Sequence, residues 1–267
     1  MELFSLKGKT AIVTGACGLI GKEHCRALAE AGANVVVADI NEQACTTFAV
    51  ELGERHLGIG LDVTKTTSLE QARDKILAKY GSIDVLINNA AINDMFENPA
   101  LAAKQSMFEH YPIEMWQKSL DVNVTGVFLC CQVLGSIMAK QGKGSIINVA
   151  STYGLVGPDQ SIYKNEKGEQ TFYKSPSYPA TKGAVVNFTR FLAAYWGNKG
   201  VRVNTLSPGG VENKQDDFFV SNYSKKTLLG RMAATNDYKG AVVFLASDAS
   251  AYMTGANLVV DGGWTAI

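Results

Sequence analysis

Hydrophobic residues fall along this chain in two rhythms that take turns. Thr10-Ala11-Ile12-Val13-Thr14 is a short β-branched run that stops at glycines, and Lys22 to Ala31 then follows the spacing of one helix face until Gly32 interrupts it. Asn34-Val35-Val36-Val37-Ala38-Asp39 is again apolar without alternation. Such unbroken runs belong to strands covered on both faces. The pattern predicts further strands near His56–Asp62 and at Val85–Asn89, Ser145–Ala150, Arg202–Ser207 and Asn257–Asp261. It predicts helices across Ser68–Tyr80, around Trp116–Lys140, near Tyr178–Gly197 and about Asp237–Ser247. Strands alternating with helices imply an α/β fold with a doubly wound parallel sheet and helices on both faces, because each right-handed crossover lays a helix over the sheet.

The chain has 267 residues with no Pro/Ser-rich spacer, repeat or low-complexity tract, so residues 1–267 are expected to form a single domain. Two stretches, near 93–114 and 157–176, exceed the usual connection of about four to six residues. Both follow strand ends, where open α/β sheets bind ligands, and are expected to form the substrate pocket. Surface loops or subunit contacts are the plainer alternative.

Lys+Arg and Asp+Glu number 25 each, with no basic stripe, which points to a small molecule rather than a nucleic acid as partner. The N-terminal residues lack an apolar signal core and no apolar run approaches the roughly 20 residues of a membrane span, so no membrane and a cytoplasmic location are expected. The five cysteines, Cys17, Cys25, Cys45, Cys130 and Cys131, show no CxxC pair or metal-ligand spacing, and no metal is expected. His24, His56 and His110 are scattered, so packing or surface roles are expected of them.

Between the first strand and first helix lies Thr14-Gly15-Ala16-Cys17-Gly18-Leu19-Ile20-Gly21. Glycines there let the backbone approach a pyrophosphate, and a helix N-terminus offers free N–H groups with a partial positive charge. Asp39 closes the second strand about twenty residues on, where a carboxylate accepts from the adenosine ribose hydroxyls and repels a 2′-phosphate. No Arg or Lys follows it in Ile40-Asn41-Glu42, which favours NAD over NADP. A helix cap or solvated turn is the alternative for Asp39.

These features, with Asp62-Val63, Asn88-Asn89-Ala90 and Pro208-Gly209 in order after them, resemble the short-chain dehydrogenase/reductase family over nearly the whole chain. The family's Rossmann fold is the expected architecture. The resemblance implies cofactor contacts from Gly15, Gly18, Leu19, Ile20, Gly21, Asp39, Ile40, Asp62, Val63, Asn89, Ala90, Pro208, Gly209 and Val211, together with Tyr178 and Lys182. Two departures stand out: Ala91 replaces the glycine of the family's Asn-Asn-Ala-Gly, and the middle glycine is Gly18, one position early, a spacing of the longer sugar-nucleotide branch.

Tyr178-Pro179-Ala180-Thr181-Lys182 matches the family's Tyr-x-x-x-Lys, and residues four apart share a helix face, so the two heads can meet. A phenol of pKa near 10 needs neighbouring positive charge to serve as a base at neutral pH. Pro179 is tolerated only in a first helical turn, so the helix is expected to start close to Tyr178. By resemblance Ser151, after the strand Ser145–Ala150, orients the substrate oxygen, with Thr152 as the alternative hydroxyl. Also by resemblance, Asn123 holds a water against Lys182, and Lys182 bonds the nicotinamide ribose. Asn123 capping or kinking its helix is the other reading.

Together these residues predict an NAD(H)-dependent oxidoreductase that interconverts a secondary alcohol and a ketone on a small polar substrate. The alternative is a nucleotide-sugar epimerase or dehydratase working through transient oxidation by tightly bound NAD. Tyr163, Phe172 and Tyr173 with Lys164, Lys167, Lys174, Asp159, Glu166 and Glu169 in the second insertion suit a sugar derivative or, equally, a solvated loop. The phrase from Tyr153 to Asp159 is similar, more faintly, to bacterial oxidoreductases of flagellin-modification or surface-sugar pathways, which points to carbohydrate metabolism. A homotetramer or homodimer is implied by the family, with Leu258-Val259-Val260 and Trp264 as an apolar subunit contact.

Overall fold

A computed structural model of the chain describes residues 2–93 and 99–267. Seven parallel strands lie in one sheet in the order β3-β2-β1-β4-β5-β6-β7. They are β1 (Thr10–Thr14), β2 (Asn34–Asp39), β3 (Leu57–Gly60), β4 (Val85–Asn88), β5 (Gly144–Val149), β6 (Val201–Pro208) and β7 (Asn257–Val260). The order reverses between β1 and β4, which opens a crevice at their carboxyl ends.

Alternation within the strands builds two cores. Ile12, Val36, Leu86, Ile146 and Val203 face one layer, formed by α3 (Thr66–Tyr80), α5 (Ile113–Gln141) and α6 (Ser177–Trp196). Ala11, Val13, Val35, Val37 and Ile147 face the other, formed by α1 (Leu19–Glu30), α2 (Glu42–Leu52) and α8 (Lys239–Ala246). Burying each such side chain contributes roughly 1.5–3 kcal/mol, and both faces need cover, which is why the strands read as unbroken apolar runs. A buried polar chain crosses the sheet: the Asn88 amide donates to Asn148 at 2.8 Å and Asn148 donates to the Thr189 hydroxyl of α6 at 2.9 Å.

Several expectations need correction. α1 begins at Leu19, a turn before the anticipated Lys22, because Gly18 takes the extended conformation of an N-cap. α2 was not anticipated: only Cys45, Phe48 and Ala49 are buried on it, too short a stripe to register as helical periodicity. α4 (Pro99–Gln105) lies in the first insertion, and α7 (Asp217–Ser224), also not anticipated, follows β6. By length and composition α5 is apolar enough to cross a membrane, contrary to the reading that no run approached this. Its apolarity serves the core instead: Cys130, Cys131, Leu134 and Met138 are buried against the sheet and α3. Two π-turns, Asp121–Thr125 and Cys131–Gly135, interrupt it and let its inward face drift.

Candidate active site

A cleft of about 820 Å³ runs across the carboxyl ends of β1, β2, β4, β5 and β6. Every expected cofactor residue lines it, from Gly15 and Asp39 through Ile40, Asp62, Val63, Asn89 and Ala90 to Pro208, Gly209 and Val211. At one end the turn before α1 is packed backbone to backbone. Gly15 has φ +61°, and a Cβ on it would stand 2.7 Å from the Ala90 Cα. A Cβ on Gly21 would stand 2.3 Å from the Gly15 carbonyl oxygen. The Asn89 side chain donates to the Thr14 and Gly15 carbonyls at 3.0 and 2.9 Å, and the Thr14 hydroxyl accepts from the backbone of Asn89 and Ala90.

Gly18, one position early for the family, caps α1 and leaves Leu19 and Ile20 in the first turn, both on the cleft. The first N–H groups of α1 have no acceptor within the helix. A glycine cradle that a Cβ would fill, beside such a helix start, fits a dinucleotide pyrophosphate. Asp39 is not a helix cap: α2 is capped by Asn41, whose side chain accepts from Ala44 N–H at 3.0 Å. Asp62 accepts from the Thr64 hydroxyl and N–H at 2.7 and 3.0 Å and pairs with Lys65, and the Thr64 hydroxyl foremost holds its carboxyl below the usual range.

At the other end, Tyr178 is the second residue of α6 and Pro179 the third, inside the first turn as its ring requires. Burial pushes the Tyr178 phenol up, and a hydrogen bond with Ser151 works against this. Ser151 follows β5 and is 7% exposed, and it also caps the turn Thr152–Gly154 by accepting from Tyr153 N–H at 3.2 Å. Lys182 comes one helical turn later on the same face. Its ammonium donates to the Val149 carbonyl at 2.8 Å and stands 5.7 Å from the Tyr178 ring centre, and burial brings its pKa down to about 8.

Asn123 stands apart from these three. Its side chain accepts from Ile92 N–H at 2.8 Å and donates to the Ile92 carbonyl at 3.0 Å and the Thr181 hydroxyl at 3.2 Å. It lies in the first π-turn of α5 and ties the end of β4 to α6 from behind the cleft wall.

The substrate end has an aromatic wall that the sequence showed only in part. Tyr153 and Tyr163 meet through their hydroxyls at 3.4 Å, while Phe219, Tyr223 and Met232, from a segment left without a predicted role, complete the wall with Gln215. The available signal was Asp216, which caps α7 by accepting from Phe219 N–H at 2.9 Å and so sets Phe219 and Tyr223 four apart. Of the second insertion, Tyr163 and Lys174 reach the cleft, whereas Lys164, Glu166, Lys167 and Glu169 lie exposed outside it. Of the first insertion, Asn93 lines the cleft and residues 94–98 lie outside the described residues. Trp264 is not a free subunit contact: it is 8% exposed and stacks on Tyr223 with ring centres 4.4 Å apart.

A doubly wound sheet with a dinucleotide cradle and a Tyr–Lys–Ser cluster in one cleft defines an oxidoreductase of the Rossmann type. A family model described as enoyl-(acyl carrier protein) reductase matches residues 15–265. The chain is 36% identical to a D-threitol dehydrogenase of Mycolicibacterium smegmatis, over 98% of this chain and 95% of that one. It is 32% identical to an NAD-dependent glycerol dehydrogenase of Listeria innocua, over 98% and 96%. A crystal structure of a gluconate 5-dehydrogenase from Burkholderia cenocepacia, in complex with NADP and tartrate, superposes with a TM-score of 0.86 at 31% identity, covering 99% of this chain and 98% of that one. The chain belongs to the short-chain dehydrogenase/reductase family. It is an oxidoreductase that acts on CH–OH groups of small polar substrates with a nicotinamide dinucleotide. These relatives lend no support to the epimerase or dehydratase alternative.

Proposed function

We propose that the protein is an NAD(H)-dependent dehydrogenase of a polyol or sugar derivative, acting in the cytoplasm as a homodimer or homotetramer. The observation that carries this reading is the Tyr178 phenol, hydrogen-bonded to Ser151 and beside the Lys182 ammonium, in the same cleft as Asp39. A carboxylate at the end of β2 favours ribose hydroxyls over a 2′-phosphate. The glycerol dehydrogenase relative is named NAD-dependent, whereas the gluconate dehydrogenase structure holds NADP. Threitol, glycerol and gluconate, the substrates in the relatives' names, are all polyhydroxylated. Phe191 and Tyr195, stacked and exposed on α6, support a self-association face.

A dinucleotide held by the Gly15–Gly21 turn, Asp39 and Lys182 would supply the hydride acceptor or donor for the carbinol or carbonyl carbon. Ser151 orients the substrate oxygen. Tyr178 takes the hydroxyl proton as phenolate in oxidation and gives it back as phenol in reduction. Lys182 stabilises the phenolate, and Asn123 holds Ile92 and α6 in place around the pair. We further propose that residues 1–267 act as one catalytic unit whose insertions wall the substrate.

The test is a panel of polyols, sugars, sugar acids and hydroxysteroids offered with NAD or NADP while NADH or NADPH absorbance is followed. Tyr178→Phe is expected to lower kcat by about 10²–10⁴-fold with the dinucleotide Kd within a few-fold. Equal turnover by the two proteins overturns the reading.

A further inference from the structure

The second insertion brings one ammonium onto the catalytic tyrosine. Lys174 Nζ stands over the face of the Tyr178 ring, 4.4 Å from its centre, nearer than Lys182 at 5.7 Å. Lys174 is four residues before Tyr178, yet α6 starts only at Ser177, so helical spacing does not place it. It is placed by clamps. The Gln160 side chain accepts from Lys174 N–H at 2.8 Å and donates to its carbonyl at 3.2 Å. The ammonium itself donates to the Asn93 side chain at 2.6 Å, and the neighbouring Tyr173 N–H donates to Ser106 at 2.9 Å. Both insertions therefore converge on the position of this one charge.

We propose that Lys174 is a positioning residue for the reaction, whose ammonium stabilises the Tyr178 phenolate through the ring face. This rests on the reading of Tyr178 as the acid/base. Ionisation spreads negative charge from the phenol oxygen into the ring, so a cation over the face binds the phenolate more strongly than the phenol. Among the described residues that face Tyr178, the remaining groups apart from Lys182 carry no positive charge. Ser151 offers a hydroxyl, and Tyr153, Tyr163 and Tyr223 are phenols whose own ionisation would oppose that of Tyr178. Asp159, the carboxylate of the second insertion that acts on this cluster, is paired with Lys226 at 2.7 Å. Lys182 supplies the other positive charge, at 5.7 Å from the ring centre against 4.4 Å for Lys174. Lys174 lines the cleft half-buried, and its charge is held against the ring face by the contacts to Asn93 and Gln160.

The experiment is the titration of Tyr178 by carbon NMR of protein labelled at tyrosine Cζ, with its signal assigned by its loss in Tyr178→Phe. Lys174→Gln keeps an amide that can bond Asn93 and removes the charge. It is expected to raise the Tyr178 ionisation by about one pH unit. Lys174→Arg restores the charge and is expected to return the titration to within a few tenths of a unit of wild type. The alkaline shift should recur in the kcat/KM profile for whichever polyol of the panel is oxidised. Superimposed titrations in wild type and Lys174→Gln, or an Arg variant displaced as far as the Gln variant, overturn the proposal. Undiminished turnover by Tyr178→Phe would instead overturn the acid/base reading and leave the titration comparison standing.

Discussion

The Asp39 carboxylate accepts from the Cys17 backbone N–H at 3.1 Å, so one side chain both lines the cleft at the end of β2 and holds the glycine turn before α1. On the proposed reading of Asp39, cofactor choice and loop shape are therefore joined at this residue.

Asp39→Ala should narrow the preference for NAD over NADP by about ten- to a hundredfold in kcat/KM, the range that loss of one or two charge-assisted hydrogen bonds spans. It should also loosen the turn, so the Kd for NAD is expected to rise. Asp39→Asn keeps an acceptor for Cys17 and should shift preference with less loss of affinity. A wild type that prefers NADP would sink the Asp39 argument.

Gly21→Ala gives the opposite sign to an ordinary helical glycine substitution, which stabilises by up to ~1 kcal/mol. Its methyl would meet the Gly15 carbonyl at 2.3 Å and the Asn89 amide at 2.9 Å, both needed for the turn. A loss of about 1–3 kcal/mol in denaturant melts and of more than about tenfold in dinucleotide affinity is expected. Gly183→Ala on α6, where the nearest contact is an ordinary 3.7 Å, serves as the control and should be neutral or stabilising.

Asn148 carries the polar chain from Asn88 to Thr189. Asn148→Ala removes the oxygen acceptor of the buried Asn88 amide, leaving it only the Cys131 sulfur at 3.3 Å, at a cost of about 1–3 kcal/mol in urea unfolding. Thr189→Val takes the acceptor from the buried Asn148 amide and should cost a similar amount, while leaving the Asn88–Asn148 bond in place.

His24 is fully buried in α1, neither ring nitrogen has a hydrogen-bond partner among the described residues, and burial lowers its pKa from 6.5 to about 4. Between those values the unfolded chain takes up a proton that the folded chain refuses, so stability falls as pH drops through that window. The loss is of the order of 3 kcal/mol. His24→Leu should flatten the stability curve from pH 6.5 to 4, and an unchanged slope in that variant would remove His24 as the cause.

Much of the site was legible from local spacing. Tyr178 and Lys182 are four apart, and any helix through them sets both heads on one face. The strand, glycines and Asp39 belong to a single β1–α1–β2 unit whose geometry is short-range. Asn123 was legible as a position and not as an arrangement: its neighbours Ile92 and Thr181 come from distant parts of the chain, and its role as a tie between them depends on how α5 packs. The aromatic wall was hidden for the same reason. Tyr163, Tyr223 and Trp264 are separated by stretches in which no periodicity links them, yet burial packs them into one cluster, with Tyr223 stacked on Trp264.

The sequence by itself determined the alternation of strands and helices, the dinucleotide turn and the Tyr–Lys pair, because backbone periodicity acts over a few residues and side-chain type fixes the chemistry. Tertiary structure alone decided that Lys174, Phe219 and Tyr223 share a cleft with Tyr178, that Trp264 is interior, and that the apolar α5 is a core helix. Those outcomes depend on which surfaces exclude water against one another, and that is settled only when the whole sheet has closed its two layers of helices.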